Sequence, residues 1–193
     1  MASAEEHTIL PRPSFDEPVK LLIVVSPYYS DIANGMLTGA KAELEAAGAT
    51  YEIIEMPGAL EIPTAIGIAE RLSSFDGYVA LGCVIRGTTD HYEHVCEQTA
   101  KGIREAGLET GVPTIFGVAT ADTVEQAVNR CGVKMGNQGE KAMMAAIEMA
   151  NLMKKIGSEG DRGQSKTKRQ SDEAKKRRSD EATKRRSDEA TKR

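Results

Sequence analysis

The chain has 193 residues, 40% of them hydrophobic and 28% charged, with a formal net charge of −4, which is enough apolar material for one ordinary core without help from disulfides or metal. No apolar stretch reaches the roughly 20 residues of a membrane helix, and the acidic, proline-bearing first residues carry no signal-type apolar run, so a cytoplasmic protein without membrane contact is expected. Three widely spaced cysteines, Cys83, Cys96 and Cys131, form no Cys-x-x-Cys or zinc-type pattern and are read as reduced thiols.

Residues 1–19 read as an N-terminal arm, in which 8–10 is a candidate short strand. From 20 to 156 short β-branched runs alternate with longer helical ones, the pattern of a parallel sheet covered by helices. LLIVV at 21–25 is a buried strand. A helix follows over 30–48, with Ile32, Met36, Leu37, Ala40 and Leu44 at helical spacing and Gly48 as its C-terminal cap. TYEIIEM at 50–56 returns as a strand, and 61–72 reads as a helix with Ile62, Ala65, Ile66 and Ala69 on one face and Pro63 in its first turn. GYVALGCVI at 77–85 is apolar on both faces and therefore central. A helix over 91–106, a last strand over 113–120 and helices over 123–130 and 139–156, the second capped by Asn137, complete the series. With right-handed crossovers, these elements predict an α/β fold, a three-layer α/β/α sandwich with a central parallel sheet of the flavodoxin-like type.

The segment 157–193 is a different polymer. Through residue 160 the chain carries 12 basic and 22 acidic side chains, and after it 13 and 7. The octapeptide KRQSDEAK, KRRSDEAT, KRRSDEAT then repeats, without the large apolar residues that a packed core needs. It is read as a disordered tail or a solvated helix. Asp180 and Glu181 stand four residues before Lys184 and Arg185, an orientation that supports helical ion pairs. Nucleic acid is expected to bind, if at all, through this tail alone; interleaved acids and the lack of aromatics favour plain solvation.

Ligands of an open parallel sheet bind beyond the carboxyl ends of its strands, and four segments there carry unusual residues. Gly87-Thr88-Thr89 joins a strand to a helix, so backbone N–H groups, two hydroxyls and the positive end of the helix dipole converge where an anion, phosphate above all, would be held. His91 follows in the first helical turn, and an imidazole can both give and take a proton near neutral pH. His91 and His94 share a helical face, but no third ligand completes a metal site. The turn Pro57-Gly58-Ala59-Leu60-Glu61-Ile62-Pro63 brings backbone groups and one carboxylate to a helix start, suited either to a polyol or to capping by Glu61. Tyr28 is an exposed aromatic in a chain with five Tyr, three Phe and no Trp, placed to stack on a planar heterocycle. No G-x-G-x-x-G or Walker pattern points to a nucleotide.

Taken together and in register, PGALEIP, LGCVIRGTTDHYEHVC, GVPTIFGVAT, RCGVKMGNQG and AAIEMANL resemble the lumazine synthase family over nearly all of 20–155. The resemblance implies a cofactor-free transferase of riboflavin biosynthesis. It would condense 5-amino-6-(D-ribitylamino)uracil with 3,4-dihydroxy-2-butanone 4-phosphate to give 6,7-dimethyl-8-ribityllumazine, the penultimate step. It implies His91 as general acid and base, and Tyr28 stacked on the uracil ring, where the family commonly has Phe. Ala59, Leu60 and Glu61 would lie along the ribityl chain, with Cys83, Val84 and Ile85 at the pyrimidine edge. Thr88 and Thr89 would cradle the phosphate. Phe116 and Arg130 would close the site from a neighbouring subunit, Arg130 as the charged phosphate partner.

It further implies a homo-oligomer built from pentamers, which stay single, pair into decamers or close into hollow icosahedral shells (capsids) of sixty subunits, and it leaves room for an association with riboflavin synthase. The alternative is a non-catalytic flavin- or lumazine-binding or shell-forming protein of the same fold. Three departures stand out. Leu60 replaces a frequent Phe, Gln138 stands where many members have Lys, and Lys141 stands where an acid is common.

Overall fold

A computed structural model describes residues 11–15, 17–132 and 136–158; the expectations for 8–10 and for the octapeptide tail lie outside them. Contacts group the chain into two units, Met1–Met153 and Lys154–Arg193. All the described strands belong to the first, and of the second only 154–158 is described.

The elements run β1 (Lys20–Val25), α1 (Ser30–Ala47), β2 (Thr50–Glu55), a 3-10 turn (Ala59–Glu61), α2 (Ile62–Leu72), β3 (Gly77–Ile85), α3 (His91–Thr110), β4 (Thr114–Ala121) and α4 (Val124–Cys131), with α5 over 138–158. The strands form one parallel sheet in the order β2-β1-β3-β4, so the two most continuously apolar runs are the interior strands, as a sheet covered on both faces requires.

The alternation of side chains along β1 and β3 divides the core into two layers. Leu21, Ile23, Val25, Val79 and Leu81 face α1, α4 and α5 through Ile32, Met36, Ala127, Met143 and Ile147. Leu22, Val24, Tyr78 and Ala80 face α2 and α3 through Ile62, Ile66 and Ile103. Each of the large aliphatic side chains buried this way contributes about 1.5–3 kcal/mol relative to exposure. The three-layer α/β/α arrangement is therefore the one expected. Gly48 caps α1 in the left-handed conformation at φ 66°, also as expected. Helix α3 differs: it continues to Thr110, four residues past the expected end at 106, before the left-handed Gly111 stops it.

Asn137, 8% exposed, ties three helices together. Its Oδ1 accepts from Gly139 N–H at 2.8 Å and Glu140 N–H at 3.2 Å, capping α5. Its Nδ2 donates to Gly35 C=O in α1 at 2.8 Å and to Cys131 C=O at the end of α4 at 3.0 Å. A buried amide with both ends satisfied orients its surroundings more strongly than an apolar contact could.

Candidate active site

β3 outruns its neighbour β1. Their pairing ends with Leu81 opposite Val25, and the last bond on that side is Ser26 N–H to Leu81 C=O at 2.9 Å. Pairing with β4 continues to Ile85 opposite Ala121. Successive peptide groups in a strand point to opposite sides, so those of Cys83 and Ile85 face the side where β1 has ended. An interior strand thereby acquires a short open edge, able to hydrogen-bond the edge of a planar ligand.

A cavity of about 410 Å³ opens against this edge, a size ordinary for small-molecule sites. Cys83, Val84 and Ile85 form one wall, and Ala59, Leu60 and Glu61 of the 3-10 turn form another. Tyr28, 72% exposed, stands at the mouth beside Tyr29, their rings edge-on at 5.1 Å. Gly87, Thr89 and His91 bring in the turn before α3. Nine of the residues given a catalytic or substrate-binding role from the sequence thus line one cavity. Thr88 belongs to the same turn but not to the lining, while Phe116 and Arg130 lie elsewhere. Phe116 sits on β4, at the edge of the sheet, and is 38% exposed. Tyr29, Tyr92 and Val95 also line the cavity, and the sequence reading missed them. The signals were present: two adjacent tyrosines in an aromatic-poor chain, an aromatic directly after His91, and an aliphatic residue one turn further along the helix.

Glu61 does not cap α2, which has no side-chain cap bond at its start. Its carboxylate turns back across Gly58 instead, where an added Cβ would lie 2.6 Å from Glu61 Oε2. A glycine there lets the carboxylate fold into the turn, where it lines the cavity.

α3 also begins without a side-chain cap, Asp90 occupying the cap position. Its first-turn N–H groups are thus left to a ligand or water. Arg86 fixes the approach to that turn. Its Nε donates to Asp122 Oδ1 at 2.8 Å, its Nη1 donates to Glu93 Oε1, and its guanidinium lies 4.2 Å from the Tyr92 ring centroid. One side chain thus joins the ends of β3 and β4 to the first turn of α3, directly after His91. The bonds to Asp122 and Glu93 raise the Arg86 pKa, and the hydrogen bond from Arg86 lowers that of Glu93.

Burial dominates the titration of the inner wall. It pushes the Cys83 thiol up to about 11, with smaller contributions from Cys131 and Cys96. The Tyr29 phenol is raised chiefly by burial too, then by Tyr28 and Cys83. At neutral pH this wall is uncharged. Among the described residues no Lys or Arg lines the cavity, and Arg86 is already engaged by two carboxylates. No group of three His, Cys, Asp or Glu side chains among them is placed to hold a metal ion, and no helix among them is long and apolar enough to cross a membrane.

A second cavity, of about 270 Å³, lies between the end of α4 and the start of α5 and is lined by Asn129, Arg130, Gly136, Gln138 and Lys141. It holds the cations that the first lacks.

The family model described as 6,7-dimethyl-8-ribityllumazine synthase matches residues 18–154. The chain is also 44% identical over 146 residues to a protein described as 6,7-dimethyl-8-ribityllumazine synthase from Jannaschia sp. (strain CCS1), an alignment covering 76% of this chain and 82% of that relative.

Proposed function

The chain belongs to the 6,7-dimethyl-8-ribityllumazine synthase family, and we propose that the cavity at the open edge of β3 is where it condenses 5-amino-6-(D-ribitylamino)uracil with 3,4-dihydroxy-2-butanone 4-phosphate. It is a transferase of riboflavin biosynthesis. The observation that carries the placement is the convergence of a stacking ring (Tyr28), a polyol-sized turn (59–61), an open strand edge (83–85) and an imidazole (His91) on one cavity.

In this reading the uracil ring lies under Tyr28 with its polar edge on the peptide groups of Cys83 and Ile85, and the ribityl chain runs along Ala59, Leu60 and Glu61. The Gly87–Thr89 turn and the uncapped start of α3 receive the phosphate. The amine of the first substrate attacks the ketone of the second, and water leaves to give an imine. Phosphate is then eliminated, and the ring closes with loss of a second water. His91 moves protons between these steps. The larger share comes from holding two substrates in reacting geometry, worth up to about 7–11 kcal/mol in well-aligned cases, while proton transfer adds about 10²- to 10⁴-fold.

Among the described residues no Lys or Arg lines this cavity to meet a phosphate ester. That supports the rest of the proposal: Phe116 and Arg130 of a second copy complete the site, so the working unit is a homo-oligomer, assembled from pentamers and residing in the cytoplasm. Mixing the protein with both substrates and following the absorbance of the lumazine tests the placement; no product above the spontaneous rate would leave only a ligand-binding or shell-forming role.

A further inference from the structure

Arg130 and Lys141 line one cavity between α4 and α5, and among the described residues neither forms a salt bridge with an acid. Both are exposed, and two cations that converge with no carboxylate among the described lining residues give the cavity a positive potential suited to an anion. The backbone is shaped for it. Gly136 takes the left-handed conformation at φ 88°, and a Cβ there would lie 3.3 Å from both Cε and Nζ of Lys141. The end of the Lys141 side chain thus lies close beside Gly136, and both line the cavity. Gln138, which adds an amide to the same lining, is one turn earlier on α5. Residues three apart share a helical face, so a lysine at 141 reaches the region that a lysine at 138 would serve.

We propose that Lys141 is a second phosphate-binding residue for the butanone phosphate substrate, acting with Arg130 and supplying from position 141 the charge that Gln138 does not. The proposal rests on the reading in which Arg130 meets the substrate phosphate. Arg130 offers a planar, two-pronged contact and Lys141 a point charge, and together they would match a dianion that a single arginine only half neutralises.

The test is steady-state kinetics on the assembled full chain, with inorganic phosphate as a competitive probe of the same pocket. Lys141→Met should raise the KM for the butanone phosphate about tenfold and weaken inhibition by inorganic phosphate by a similar factor. The KM for the ribitylaminouracil should stay within about twofold. Lys141→Arg should retain most of the affinity, and adding Gln138→Lys to Lys141→Met should restore it. If Lys141→Met changes neither phosphate inhibition nor this KM while Arg130→Met weakens the inhibition and raises the KM, Lys141 is not a phosphate ligand and the reading of Arg130 stands. If Arg130→Met also leaves both unchanged, the phosphate is held elsewhere and both readings fail.

Discussion

The cavity at the end of β3 and the cavity between α4 and α5 are made of opposite materials. The first has aromatic rings, an open strand edge, a thiol held neutral by burial and an imidazole, and no Lys or Arg among its described lining residues. The second has Arg130, Lys141 and polar amides, with no carboxylate among its described lining residues. The described lining of the first suits a heterocycle and a proton transfer but offers no cation to a phosphate dianion, whereas that of the second offers two cations and no general acid or base. The difference supports the proposal that the chemistry of this chain is divided between two surfaces, which assembly would join.

The largest effect should come from the reacting surface. His91→Ala is expected to lower turnover by about 10²- to 10⁴-fold while both KM values move little. Turnover should not vanish, because stacking and substrate proximity survive; complete loss in a correctly assembled variant would mean that proton transfer carries the catalysis. The cationic surface can be loosened without touching either cation through Asn137→Ala, which leaves two N–H donors and two carbonyls without the amide that joins them. A loss of about 2–4 kcal/mol in urea unfolding is expected. Inhibition by inorganic phosphate should weaken as well, since α4 and α5 lose their common anchor.

Smaller effects should follow from titration. The Cys83 pKa, 9.0 for an ordinary thiol, is raised to about 11 by burial, so the native state keeps a proton that the unfolded chain releases earlier. The associated stability is whole below about pH 9 and disappears as the pH climbs toward 11. Denaturation midpoints should therefore fall over that interval in the wild type and fall less in Cys83→Ala. Glu93 has the opposite sign. Its pKa is lowered by Arg86, so its contribution is present above the ordinary carboxylate range and is lost as acid protonates it. Because the pair is exposed, Glu93→Gln should shift an acid-denaturation midpoint only slightly.

The two surfaces were not equally legible in the sequence. The β3 run, the His91 turn and the 57–63 turn announced themselves because the chain makes them locally: apolar residues that fill both faces of a strand, and polar ones clustered where it ends. Boundaries were harder. The end expected for α3 at 106 stops just before Gly107, but one glycine costs a helix only about 1 kcal/mol, and a Cβ there would crowd Thr114 at 3.1 Å. Glu61 offered two local readings, a cap or a wall, and only its turn back over Gly58 decided between them. Thr88 fell outside the lining for a similar reason, the aim of one turn residue being set by backbone angles that composition does not encode. The cationic cavity was the least legible, since Arg130, Gln138 and Lys141 are brought together by the bonds of Asn137 to α1 and α4.

Subunit complementation tests the divided site most directly. His91→Ala and Arg130→Met chains, each impaired when assembled alone, are unfolded together in equal amounts and refolded into mixed oligomers. If His91 acts with Arg130 of a neighbouring copy, random assembly restores both wild-type halves at about one site in four, and kcat/KM at low butanone phosphate should rise to roughly a quarter of the wild-type value. Activity no higher than the average of the two variants would show that both residues act within one chain, and would contradict the division of the site.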